Sequence, residues 1–122
     1  MSGTSMDGLD CGLFDISLNS DYELDCSCRE FMIFPYSEYI RKSIQNSLQG
    51  DKVVIKDAGK ILGEEFTAIS EEFIKGRSIG LIATHGQTVA HNDGVSSLQI
   101  GAPQSLHQKF QVPVVFDFRQ TD

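Results

Sequence analysis

The hydrophobic pattern changes period partway along the chain, and that change constrains the fold more than any other feature. From Tyr22 to Arg29 the residues alternate, with Tyr22, Leu24, Cys26 and Cys28 on one face and Glu23, Asp25, Ser27 and Arg29 on the other. A period of two is the mark of a strand. Leu9, Cys11 and Leu13, followed by Phe14, Ile16 and Leu18, form a second such run, whose apolar set changes face near Leu13–Phe14. Asn19-Ser20-Asp21 lies between the runs, so they are expected to pair as an antiparallel hairpin.

Beyond Pro35 the period lengthens. Ser37 is placed to cap a helix, and Tyr36, Ile40, Ile44 and Leu48 then recur at helical spacing until Gly50. A second helix is predicted over Val54 to Lys75, with Ala58, Ile61, Leu62, Phe66, Ile69 and Phe73 as its apolar stripe. Lys60 and Glu64, and Glu71 and Lys75, stand at i,i+4 spacing on its other face. Gly76 ends it. Ile79–Ala83 reads as a short buried strand of the kind found inside parallel sheets. Asn92-Asp93-Gly94 is a turn, Ser97–Ile100 a strand, Ala102 or Pro103 to Phe110 a helix with Pro103 in its first turn, and Val112–Phe118 a last buried strand. The order β-β-α-α-β-β-α-β predicts an α/β fold, a mixed sheet with crossover helices. Such sheets bind ligands beyond the carboxyl ends of their strands.

A chain of 122 residues is one domain's worth of polypeptide. With 40% hydrophobic residues and 3 Pro, it is not a disordered tail or linker. Its net charge of -7 repels phosphate backbones, which argues against a nucleic-acid surface. A small anion pocket of backbone amides needs no lysines and stays open. Cys11, Cys26 and Cys28 are an odd number, which points to a reducing setting and to buried apolar fillers. No apolar run approaches the ~20 residues of a membrane span. The start has neither a basic nor an apolar stretch, so a soluble, cytoplasmic protein is expected.

Four polar clusters lie beside apolar runs. Ser2-Gly3-Thr4-Ser5-Met6-Asp7-Gly8 has the small residues that let backbone N–H groups approach an anion, and Asp7 suits Mg²⁺ held through water. It is not a Walker loop, and its plainer reading is a terminal turn. Thr84-His85-Gly86-Gln87-Thr88, with His91 beyond, follows a strand end, where polar side chains meet ligands. Leu98-Gln99-Ile100-Gly101-Ala102-Pro103 alone reads as strand, turn and helix start. Asp117-Phe118-Arg119-Gln120-Thr121-Asp122 ends the last strand. There Arg119 suits an anion, and Asp117 and Asp122 suit a base or metal ligand; a solvated terminus is the alternative.

Together the four clusters resemble the anhydro-N-acetylmuramic acid kinases, in order and in spacing. The resemblance implies an actin-like ATPase (ribonuclease H-like) N-terminal lobe. It implies ATP and Mg²⁺ as cofactors, a small amino sugar as substrate, and cytoplasmic recycling of cell-wall sugars. The reaction opens the 1,6-anhydro bond of anhydro-N-acetylmuramate and phosphorylates the freed O6, giving N-acetylmuramate 6-phosphate. Ser2, Gly3, Thr4, Ser5, Asp7 and Gly8 match the phosphate-binding turn, with Asp7 near Mg²⁺. Thr84, His85, Gly86 and Gln87 match the sugar-contacting loop. Asp122 matches the base that activates water, with Arg119 and Asp117 beside it. No nucleic-acid or membrane partner is implied, and a homodimer is compatible.

Family members begin with a strand before the first cluster, whereas Met1 here is that cluster's own methionine. They also continue past the last cluster, through a Gly-rich segment, into a second lobe with the adenine site. At Ala102 many have a polar or acidic residue. The chain is therefore expected to be a lobe truncated at both ends, residues 1–122, inactive alone, with surface exposed where a strand and lobe would pack. Two other readings stand beside this one. One is a non-catalytic sugar-binding or dimerisation module of the same fold. The other is a hydrolase using Ser5 or Cys11 with His85, which no Gly-x-Ser-x-Gly elbow supports.

Overall fold

The computed structural model describes residues 7–47, 52–85, 87–90, 97–100 and 103–116. Their order is β1 (Gly8–Leu18), β2 (Leu24–Pro35), α1 (Glu38–Ser47), α2 (Lys52–Ile74), β3 (Ile82–Ala83), β4 (Gln87–Ala90), β5 (Ser97–Ile100), α3 (Gln104–Phe110) and β6 (Val114–Val115). The class is mixed α/β.

Strands β1 and β2 pair antiparallel along their whole length. The turn is built by Asn19, whose Oδ1 accepts the backbone N–H of Asp21 and of Glu23, both at 2.9 Å. Tyr22 completes it at φ 60°. The register then shifts between Leu13, opposite Glu30, and Phe14, opposite Cys28. Arg29 is the extra residue of this bulge, and its Nε reaches Asp15 Oδ2 at 3.4 Å.

The bulge gives physical form to the change of face read at Leu13–Phe14. On the near half Leu9 is buried and Cys11 and Phe34 pack against the core. On the far half Phe14, Ile16 and Leu18 lie on the opposite side and are exposed. A Cβ built on Gly12 would stand 2.6 Å from the Phe14 ring, which places positions 12 and 14 on one face.

The core forms where α1 and α2 close over the near half of the hairpin. Ser37 Oγ accepts the Ile40 N–H at 3.3 Å, as an N-cap should. Tyr36, Ile40 and Ile44 of this segment meet Ala58, Leu62, Phe66 and Ile69 of α2 and Leu9 of β1. Each such fully buried aliphatic or aromatic side chain contributes roughly 1.5–3 kcal/mol. The end of α2 is clamped by Arg77. Its Nε donates to the Ile74 carbonyl at 2.8 Å, and its guanidinium lies over the Phe73 ring and pairs with Glu30 of β2. Phe73 meets Phe34 edge to face. Lys75 and Gly76, at φ 54° and 74°, end the helix in left-handed geometry.

Several expectations change. The sheet is present as three two-stranded ladders among the described residues, β1–β2, β3–β6 and β4–β5, not as one mixed sheet. The strand after α2 spans only Ile82–Ala83, and Leu81 is exposed; the last strand is only Val114–Val115, with Phe116 exposed. A run of apolar residues sets the potential to be buried, and only a covering layer realises it. Glu71 pairs with Lys109 of α3 across elements, at 3.4 Å. Cys26 and Cys28 are exposed and Cys11 is half-buried, so none of the three is a fully buried filler. Leu48, Gly50 and the 92–94 turn lie outside the described residues.

Two substitutions test this packing. A Cβ at Gly8 would stand 2.5 Å from the Phe34 carbonyl oxygen, a backbone atom with no freedom to move aside. Gly8→Ala should therefore lower stability in urea unfolding by about 1–3 kcal/mol, without any ligand present. Leu62→Ala, at the most buried point of α2, should cost about 2–5 kcal/mol.

Candidate functional site at the end of the parallel strands

The parallel ladder β3–β6 decides which polar clusters become neighbours. The Ile82 N–H donates to the Pro113 carbonyl at 3.0 Å, and the Thr84 N–H to the Val115 carbonyl at 2.9 Å. The carboxyl ends of both strands therefore open at the same edge. Thr84 and His85 leave from one strand, and the segment leading to residues 117–122 leaves from the other. Thr84 is half-buried and His85 is 6% exposed, the one buried polar side chain among the described residues.

Gln87, expected in a loop with Thr84 and His85, instead opens strand β4. It pairs with Ile100, and Thr88 pairs with Gln99. The β4–β5 ladder packs against α1 and α2. The second and third sequence clusters are thus joined by a ladder, a connection that local spacing alone does not reveal. The first cluster is anchored elsewhere. The Asp7 carbonyl accepts the Tyr36 N–H at 2.9 Å, and Gly8 lies opposite Pro35. This ties the entrance of β1 to the start of α1 and leaves the Asp7 residue exposed. Ser2, Gly3, Thr4, Ser5, Gly86, Asp117, Arg119 and Asp122 lie outside the described residues. Among the described residues no group of three or more His, Cys, Asp or Glu side chains is arranged to hold a metal ion.

A pocket of about 450 Å³ lies between α3 and the end of β6, lined by Pro103, Gln104, His107, Gln108, Val114 and Phe116 among others. Of the four polar clusters singled out from the sequence, only the third contributes to its described lining, through Pro103. His107 Nδ1–H donates to the Val112 carbonyl at 2.9 Å, which fixes the ring's orientation. Gln104, His107 and Gln108 share one face of α3 at i, i+3, i+4 spacing. That spacing was visible in the sequence, but a single short helical turn did not mark it as a surface of interest.

The hydrolase reading loses support at Cys11. This side chain packs against the core cluster, and burial pushes its thiol up from the ordinary value, with the Asp10 carboxylate adding to the rise. A nucleophilic cysteine needs the opposite shift. Because the folded chain holds this proton more tightly than the unfolded chain does, stability is full below the unfolded thiol pKa, about 8.5. It declines as pH rises through that value toward the folded pKa. Urea midpoints measured from pH 7 to 10 should fall in the wild type, and Cys11→Ser should flatten that part of the profile.

A family model described as anhydro-N-acetylmuramic acid kinase matches residues 1–122. Among curated proteins, an anhydro-N-acetylmuramic acid kinase from a Cyanothece species is 30% identical over 131 residues, covering all of this chain and 34% of the relative. Proteins of the same name from a Sulfurovum species and from Caldanaerobacter subterraneus are each 33% identical, again over all of this chain and 35% of their own length. The chain spans about a third of the length of the curated relatives it matches.

Proposed function

Since the chain belongs to the anhydro-N-acetylmuramic acid kinase family, we propose that it forms the N-terminal, actin-like lobe of an ATP-dependent kinase for 1,6-anhydro-N-acetylmuramate. The remaining two-thirds of the relatives' length would supply the nucleotide-binding lobe. The observation that supports this reading is the parallel β3–β6 ladder, in which the Thr84 N–H donates to the Val115 carbonyl, so that the two strands end at one edge.

In this reading the chain's residues divide the work. Thr84, His85 and Gln87 hold the sugar, with Gly86 giving room for its close approach. Asp122 takes a proton from the water that attacks the anomeric carbon, the C1–O6 bond breaks, and O6 takes the γ-phosphoryl group as its bond to the bridging oxygen breaks and ADP leaves. The base must sit within hydrogen-bond reach of its water. Arg119 steadies the anionic substrate by forked hydrogen bonds. The amides of Ser2 to Ser5 and Gly8 cradle phosphate. Mg²⁺ is usually held by one or two carboxylates with waters and phosphate oxygens, so the exposed carboxylate of Asp7 suffices as the protein's share. The metal would neutralise charge on the transferring phosphoryl group. Such chemistry belongs in the cytoplasm, where ATP is available. Among the described residues no helix is long and apolar enough to cross a membrane.

Two measurements test the reading. Calorimetric titration of the 122-residue chain with anhydro-N-acetylmuramate should give binding, and added ATP with Mg²⁺ should give no turnover; steady ATP hydrolysis would contradict the division into lobes. In a polypeptide of the relatives' full length, Asp122→Asn should lower kcat by at least about 10²-fold while ATP binding is kept. An unchanged kcat would remove Asp122 from the base role.

A further inference from the structure

Cys26 and Cys28 share one face of the β1–β2 hairpin, and both are exposed. The ladder there is regular. Cys26 lies opposite Ile16, Ser27 opposite Asp15 and Cys28 opposite Phe14, and the register shifts only beyond Cys28. Successive residues of a strand point to opposite faces, so Ser27 turns to the reverse side and the two cysteines stand side by side. The third thiol is out of reach, because Cys11 packs against the core on the other face. Around the pair the flanks are apolar, with Phe14 and Ile16 across the ladder and Leu24 next to Cys26 along β2. Over Phe14–Leu18 and Leu24–Cys28 this face carries no carboxylate, imidazole or ammonium group among the described residues.

The spacing decides what this pair can do. Two residues along a strand, at about 3.4 Å each, put the Cβ atoms about 6.8 Å apart. A disulfide needs about 3.5–4.5 Å, so the ladder keeps these two thiols from joining each other. A metal ion between them closes the gap. Two metal–thiolate bonds of about 2.3 Å place the sulfurs about 4.6 Å apart, so each sulfur leans inward by about 1 Å, which rotation about its own Cα–Cβ bond supplies. Cys28 Sγ donates a weak bond to the Glu30 carbonyl at 3.6 Å, and that bond is exchanged for the metal. We propose that Cys26 and Cys28 form a two-coordinate site for a soft monovalent cation, Cu(I). Soft thiolates select Cu(I), zinc and iron–sulfur clusters. Zinc takes at least three protein ligands and the clusters are held by four, whereas this face offers two sulfurs. Cu(I) is satisfied by two thiolates in a line. Phe14 and Ile16 flank the sulfurs with hydrocarbon and supply no oxygen for a harder ion. On binding, two S–H bonds break, two S–Cu bonds form, two protons leave to water and copper stays monovalent. The proposal does not depend on the kinase reading.

Anaerobic titration of the 122-residue chain with Cu(I) held by a chromogenic chelator tests it. One ion should be taken up per chain. Because two protons leave for each ion bound, the apparent affinity should tighten about 100-fold from pH 6 to pH 7. Cys26→Ser and Cys28→Ser should each abolish uptake at a chelator concentration where the wild type is saturated, with an unchanged circular dichroism spectrum. Cys11→Ser should leave uptake as it is. Alkylation mapped by mass spectrometry should find Cys26 and Cys28 protected by Cu(I) and open in the same concentration of Zn²⁺. The same protection should appear in a polypeptide of the relatives' full length. Oxidised glutathione without metal should produce no bond between Cys26 and Cys28. The proposal is overturned by an absence of uptake, by uptake that survives either of those two serine variants, or by one ion shared between two chains. Equal protection by Zn²⁺, lack of protection in the longer polypeptide, or a Cys26–Cys28 disulfide in the folded chain would overturn it as well.

Discussion

Burial of the α2 stripe is the constraint on which the rest of the structure depends. Leu62, Phe66 and Ile69 meet Leu9 of the hairpin and Tyr36, Ile40 and Ile44 of the α1 segment in a single cluster. Without that cluster the hairpin would be an isolated two-stranded ribbon, which is at best marginal in water. The cluster also orients the chain beyond α2. Because α2 ends at a left-handed Lys75–Gly76 turn and Arg77 ties its last carbonyls to Glu30, the chain enters the β3 segment from a defined point.

The hairpin is two structures joined at a bulge. Its near half behaves as part of a core, and Gly8 is confined by the Phe34 carbonyl so closely that a side chain there would displace backbone. This gives Gly8 a structural reason independent of any phosphate. Its far half is polar toward the helix side and apolar toward the other. The cysteines show the consequence. Cys26 and Cys28 have the alternation of buried strand residues, yet they are exposed, with no layer over their face among the described residues.

Secondary structure was largely legible in the sequence. The hairpin, the Ser37 cap, the stripe of α2 and the short helix after Pro103 all obey local rules of periodicity, capping and turn chemistry. The candidate site was legible as a set of clusters but not as an arrangement. Nothing in the spacing of Thr84-His85 and Asp117–Asp122 says that their strands are parallel neighbours. Likewise, nothing local says that Gln87 starts a strand opposite Ile100. The His107 pocket went unread because its lining comes from two elements and has meaning only once they are side by side.

The sequence by itself determined the α/β class, the main elements and, through four ordered clusters, the family. These depend on contacts between residues close in the chain, or on identities that need no geometry. Only the tertiary structure decided that the strands form separate ladders among the described residues, that His85 is buried while Asp7 is exposed, and that the apolar half of the hairpin faces outward. Burial is a property of what lies across a face, and that partner comes from distant parts of the chain or from outside it, so an alternating pattern can say which residues share a face but not whether anything covers it.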